Sequence, residues 1–157
     1  MTTLMTDLVL EKIGGNNFDE FLSLIEQLAQ YEKLTPPDAE AKERLRNDAI
    51  RPNPAYEACL GRYNGIAAGY VTFYFTYSTF LARPTLYLED IFVREEYRHR
   101  GFGETLIDYC RSIAKERGCG RMEWMVLTWN KPALQFYEKS GAQRLDWYVY
   151  RLNREQL

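Results

Sequence analysis

Two short stretches bring together residues able to do chemistry. In "LYLEDIFV", Glu89 and Asp90 interrupt an otherwise apolar run. A carboxylate buried without a partner is costly, so such a pair has to serve either a ligand or an ion pair at a strand end. Neighbours on a regular strand point to opposite faces, which predicts that one acid looks into a cleft while the other is tied elsewhere. In "RHRGFGETL", Gly101 and Gly103 follow that strand and open a helix. Glycines let the backbone approach a ligand closely, and the first amides of a helix attract anions, so the turn suits a pyrophosphate. The glycines also suit a plain strand-to-helix turn. A triphosphatase loop needs lysine and a hydroxyl residue after its last glycine, where Glu104 and Thr105 stand. A dinucleotide fingerprint wants a third glycine where Leu106 stands. The single histidine, His99, has no second histidine or cysteine near it, so no metal site or catalytic triad is expected. No serine or cysteine is set up as a nucleophile, so no covalent intermediate on the protein is expected.

The elements that must position these groups follow from periodicity. The expected order is β-α-α-β-β-β-α-β-α-β, an α/β (α+β) domain with a mixed, mostly antiparallel sheet flanked by helices. "DLVLEKI" (7–13) reads as a first strand and "FDEFLSLIEQLAQYEKL" as an amphipathic helix. A second helix is expected with Thr35 as cap and Pro36 at its first position. Asn64-Gly65 marks a hairpin between two strands. Residues 85–93 form the acid-bearing strand, and the helix after the glycine turn stops at Gly118. "RMEWMVLTW" (121–129) reads as a strand, "KPALQFYEKSG" as a short helix, and "AQRLDWYVYRL" as one or two last strands. The aromatic run at 70–80 suits a core strand, or an edge used in dimer formation.

The bounds fit this picture. A chain of 157 residues, 46% hydrophobic and 27% charged, suits one domain spanning residues 1–157. A net charge of −2 argues against a nucleic-acid partner. No apolar stretch reaches the length of a membrane span, and the first residues lack the form of a signal peptide. Cys59, Cys110 and Cys119 have no metal spacing and cannot all pair, so they read as reduced thiols in a cytoplasmic protein.

Arg98-x-x-Gly101-x-Gly103 after "LYLEDIFV" resembles the acetyl-CoA signature of the GNAT acyltransferases, and "WNKPALQFYEKSGA" (129–142) resembles their second conserved segment. Within that family, "LAQYEKL", "YFTY" and "YRHRGFG" add likeness to the diamine (spermidine/spermine) and thialysine N-acetyltransferases. The resemblance covers nearly the whole chain. It implies the GNAT fold, acetyl-CoA as co-substrate, no metal, a homodimer, and acetyl transfer to the primary amine of a small molecule.

It also implies residue roles. Backbone groups of Ile91, Phe92 and Val93 hold the pantetheine arm like an added strand. Arg98, His99, Arg100, Gly101, Phe102, Gly103 and Glu104 wrap the pyrophosphate, with Arg98 and Arg100 either adding charge or lying solvated in the turn. Asn130 and Ala133 fix the cofactor's far side, although Asn130 before a helix also suits a turn. An amine with a pKa of about 10.4 must lose a proton before attack, and Glu89 takes it, through water. Tyr137 protonates the departing thiolate. Tyr31, Glu32, Glu89, Asp90, Glu123, Trp124 and Met125 surround the amine. The segment after Gly141-Ala142 is shorter than the family's and offers only Asp146, beside Arg144. Short diamines or lysine-like amines such as thialysine are therefore expected to do at least as well as spermine. The alternatives are an acyl-CoA-binding sensor without activity, or an acetyltransferase for another small amine or amino acid.

Overall fold

The structure is a computed structural model that describes residues 7–157. These residues fall into two compact units, one ending at Met125 and one running from Val126 to Leu157.

The first unit is built on a five-stranded sheet in the order β1-β2-β3-β4-β5. Its strands are β1 (Val9–Lys12), β2 (Glu57–Tyr63), β3 (Ile66–Ser78), β4 (Arg83–Val93) and β5 (Arg121–Glu123). All pairings are antiparallel except β4 with β5, which is parallel. The β2–β3 hairpin turns at Asn64 and Gly65, with φ of 50° and 79°. Positive φ at both central positions matches the right-handed twist of the flanking strands, which is why this dipeptide directs the turn.

Helices cover both faces. On one side α1 (Phe18–Glu32) buries Phe18, Phe21 and Leu24. These join Leu60, Tyr70 and Phe92 in one apolar cluster, with Leu45 of α2 (Ala39–Ile50) at its margin. On the other side α3 (Phe102–Glu116) lays Phe102, Leu106, Cys110 and Ala114 against Val71, Phe73, Leu86 and Leu88. The second helix starts later than its sequence suggested. Asp38, not Thr35, caps α2, its side chain accepting from the Ala41 amide at 2.8 Å. Pro37 keeps Pro36 out of helical conformation, so the helix begins only after the proline pair.

The register of β3 against β4 holds the main departure from regular geometry. Thr72 lies opposite Asp90 and Phe73 opposite Leu88, so Glu89 is an extra residue with no opposite number. Such a bulge shifts the phase of everything after it. Leu86 and Leu88 face the α3 side before the bulge, and Ile91 and Val93 return to that side after it.

Two other expectations are corrected. The strand read over 121–129 is confined to Arg121–Glu123, which pair with Thr85–Tyr87. The second unit holds α4 (Lys131–Lys139) and a 3₁₀ turn at Arg154–Gln156, with no strand over 142–153. Trp147, Tyr148 and Tyr150 there are more than four-fifths exposed. β-branched and aromatic residues supply propensity only, and a strand needs a partner for its amides and carbonyls.

Strand packing leaves no room at Gly69, opposite Val93. A Cβ there would sit 2.4 Å from the Phe92 carbonyl oxygen. Gly69→Ala should cost about 1–3 kcal/mol in urea unfolding, the usual penalty of overpacking. Gly14→Ala, where nothing lies within 4 Å of the added carbon, should be close to neutral.

Candidate active site

The bulge decides where the two acids point. The sequence places Glu89 and Asp90 on opposite faces, yet both line one cavity of about 350 Å³ on the α1 side of the sheet. The extra residue breaks the alternation, so consecutive side chains share a face. Thr72 and Tyr74 of β3 complete the sheet side of this cavity, and Phe21, Ile25, Leu45, Ala55 and Tyr56 form its helix side. Glu32, on the last turn of α1, lies in an adjoining cavity of about 160 Å³ that shares Ile25 and Asp90. The structure thus gathers Glu32, Glu89 and Asp90.

Hydroxyl groups of β3 face both acids. The Thr72 hydroxyl donates to Asp90 Oδ2 at 3.2 Å and accepts from the Asp90 amide at 3.0 Å. The Tyr74 hydroxyl donates to Glu89 Oε2 at 3.3 Å. Burial pushes the Asp90 carboxyl up to about 6, and the neighbouring Glu89 charge adds to that, while the Thr72 hydrogen bond opposes it. Glu32 is also raised, by burial. Tyr74 is pushed up to about 12 by burial and then by Glu89, so it remains a donor at neutral pH. The arrangement can hold a cation and accept a proton from it.

The backbone of the glycine turn has the geometry that suits an anion. His99 and Gly101 both have positive φ, 62° and 80°. Left-handed residues alternating with ordinary ones, as at His99 and Gly101 on either side of Arg100, can turn neighbouring amides toward one point. Gly101 caps α3, whose first helical bond runs from the Thr105 amide to the Gly101 carbonyl at 3.1 Å. The amides of 102–104 therefore lie outside the helical ladder, at the positive end of a 15-residue helix. Arg98 is half-buried. Its Nε donates to the Val93 carbonyl at 2.9 Å and its guanidinium lies 4.9 Å from the Tyr31 ring centroid. Arg100 stacks on Tyr63 and Tyr97. Glu104 bonds Arg111 at 3.2 Å.

Beyond Tyr87, no strand among the described residues continues alongside the β5-facing edge of β4. Ile91, Phe92 and Val93 therefore border an open edge, where an extended ligand can add as a strand does. Both features fit a CoA-like molecule. Of the remaining sequence candidates, Glu123 pairs with Arg121 at 3.0 Å, Trp124 packs against the α3-side core, and Met125 is exposed. None of these three lines either cavity.

In the second unit, Asn130 caps α4, its Oδ1 accepting from the Ala133 amide at 3.4 Å. Tyr137, on the same helix, lies half-buried with its ring 5.3 Å from that of Phe136. The sequence missed the helix-side wall of the cavity. Phe21 and Ile25 carry the same period as the core face of α1, so periodicity alone cannot separate the two roles.

A family model described as "Acetyltransferase (GNAT) family" matches residues 21–142. The chain belongs to the GNAT acetyltransferase family. It is 36% identical over 165 residues to the thialysine N-epsilon-acetyltransferase of Bos taurus, covering 98% of this chain and 96% of that one. Over 93 residues it is 44% identical to the L-ornithine N5-acetyltransferase of Arabidopsis thaliana, covering 59% of this chain and 41% of that one. The fold is shared with a possible acetyltransferase from Clostridium difficile 630, with TM-score 0.80 and 15% identity over 93% of this chain and 97% of that one. The chain is therefore an acetyltransferase. GNAT acetyltransferases use acetyl-CoA, and the open β4 edge and glycine turn are the features here that fit it. Neither buried thiol is available as a nucleophile, since burial pushes Cys59 up to about 11 and Cys110 up to about 12. Among the described residues no helix is long and apolar enough to cross a membrane, and no group of three His, Cys, Asp or Glu is placed to hold a metal.

The raised Asp90 makes a pH-dependent prediction. Above about pH 6 its ionised form is a cost to the fold. Below that, the native state takes up a proton before the unfolded chain does, and the cost is relieved. Asp90→Asn keeps an acceptor for Thr72 and should raise the melting temperature at about pH 8 more than at about pH 4. Scanning calorimetry at the two values checks this. An unchanged difference between the proteins across that range would show that Asp90 is not held out of water.

Proposed function

We propose that this protein transfers an acetyl group from acetyl-CoA to the primary amine of a small molecule, a lysine-like amine such as thialysine or a short diamine. The observation that carries the reading is the cluster of Glu32, Glu89 and Asp90 at the cavities beside the open β4 edge. The thialysine and ornithine N-acetyltransferases among its relatives support the amine. The same reading takes the chain as one domain, a homodimer and a cytoplasmic protein.

Acetyl-CoA supplies the acetyl group as a thioester. The amides at the start of α3, with the backbone of Arg98 to Glu104, bind its pyrophosphate. The edge of β4 at Ile91, Phe92 and Val93 orients the pantetheine arm, and Asn130 and Ala133 of the second unit hold the far side. Asp90 and Glu32 neutralise the substrate ammonium. Glu89 accepts the amine's proton at its carboxylate, through water, and the phenol of Tyr137 returns one to the departing sulfur. The remaining sequence candidates, Tyr31, Glu123, Trp124 and Met125, belong to the amine side of this reading. The exposed Glu89 carboxylate can pass its proton on to solvent, which suits repeated turnover.

The test is release of free thiol from acetyl-CoA with thialysine, putrescine and spermine as acceptors. Thialysine and putrescine should show kcat/KM at least equal to that of spermine. Tyr137→Phe should lower kcat on the order of 10²–10⁴-fold with unchanged acetyl-CoA affinity, the usual range for a general acid. Glu89→Gln should shift the pH dependence of kcat/KM upward, because free amine then has to come from solution. A strong spermine preference would remove the substrate assignment. Parent-like rates and profiles in both variants would remove the two roles.

A further inference from the structure

Three hydroxyl residues of β3, Tyr70, Thr72 and Tyr74, alternate onto the α1 side of the sheet. Two of them meet the acids of β4, Thr72 at Asp90 and Tyr74 at Glu89. The third is left over. Tyr70 is fully buried, and its hydroxyl is the one buried side-chain oxygen or nitrogen among the described residues that makes no hydrogen bond. A phenol unpaired in a core is costly, and such a group calls for a partner. The ring is held in place, 5.3 Å from that of Phe21 in an edge-on contact and 6.2 Å from that of Phe92. Tyr70 lies opposite Phe92 and Thr72 opposite Asp90, so the tyrosine and the acid are diagonal neighbours on one face.

The charges around the phenol all have one sign. Burial, and after it Asp90, Glu32 and Glu89, push the phenol well above its ordinary range, so it keeps its proton at neutral pH. Asp90 itself faces Glu89 on β4 and Glu32 on α1. Of the other elements, α2 meets the cavity only with Leu45, β2 sets Leu60 against Tyr70, and no basic side chain lines either cavity.

We infer that Tyr70 is a positioning residue for the acceptor amine: its hydroxyl turns to Asp90 once that group is ionised, and holds the carboxylate ready for the substrate ammonium. The inference rests on the amine-acetylation reading and adds a residue to it. A carboxylate accepts several hydrogen bonds, so it can take Tyr70 from the core side alongside Thr72. A charge-assisted bond of this kind is stronger than a neutral one and favours the ionised form. The motion belongs to the carboxyl group and to rotation of the phenol's O–H, since the ring is fixed by its neighbours. The role is the same for a monoamine, a diamine or thialysine, because it concerns only the ammonium that reaches Asp90.

The experiment compares the parent, Tyr70→Phe, Asp90→Asn and the double variant in the thiol-release assay, with thialysine and putrescine as acceptors. Phenylalanine keeps the ring contacts, and circular dichroism checks that each variant is folded. At about pH 7, Tyr70→Phe should raise KM for the amine several-fold, with kcat and acetyl-CoA affinity near those of the parent, since a hydrogen bond to a charged group is lost. Titrated by carbon-detected NMR without substrate, Asp90 in Tyr70→Phe should have a midpoint above the parent's value of about 6. The acidic limb of kcat/KM should move to higher pH with it. In the Asp90→Asn background the same change should alter KM far less, because no charge remains to be held. An Asp90 midpoint that Tyr70→Phe leaves in place overturns the inference, as does an equal rise in KM with and without the Asp90 carboxylate. A raised midpoint with unmoved KM overturns it while the proposed function stands. Absence of thiol release by the parent with either amine removes that function and the inference with it.

Discussion

One unpaired residue in β4 sets the geometry of the acidic cavity. With a regular ladder, Leu86, Leu88, Asp90 and Phe92 would share a face, and Asp90 would be driven into the apolar layer beneath α3. The extra residue at Glu89 lets Ile91 and Val93 take over that layer and turns Asp90 and Phe92 toward α1. Asp90 is then buried beside a like charge, and burial first and Glu89 second raise it, which is unfavourable to the fold. Thr72 and Tyr74, alternating along β3 on the same face, offset part of that with hydroxyl donors. The bulge is thus a local departure from regularity with a chemical consequence.

The glycine turn draws on a different resource. Partial positive charge there comes from backbone amides and the α3 dipole, while Arg98 and Arg100 make contacts within the protein. Arg98 ties the strand end to the turn through the Val93 carbonyl and reaches α1 through Tyr31. Arg100 covers the rings of Tyr63 and Tyr97. A cradle made of amides needs no side chain to be ordered when the ligand arrives, which lowers the entropic cost of binding.

Much of this was legible in the sequence because it depends on local chemistry. Asn64-Gly65 and Gly118 each take the positive φ that their residue types favour, and the helices appear where apolar periodicity places them. The family was legible for a different reason, through motifs at the glycine turn and around Tyr137. What failed was non-local. A bulge is a relation between two strands, so nothing within "LYLEDIFV" reveals that Glu89 lacks an opposite number. The cavity wall escaped for the same reason, since Leu45 and Ile25 become neighbours only when α1 and α2 settle over the sheet. The aromatic segment at 147–150 had the composition of a strand but no partner within its unit. At Asp38 the failure was local, a cap choice settled by the proline pair before it.

The central claim is that the bulge places Glu89 and Asp90 on one face, close enough for each to feel the other's charge. Carbon-detected NMR titration of the Asp90 carboxyl, in the parent and in Glu89→Gln, measures that contact directly. The account predicts a midpoint of about 6 in the parent, held up mainly by burial, and a partial fall when the Glu89 charge is removed. An Asp90 midpoint that stays the same in both proteins would contradict it.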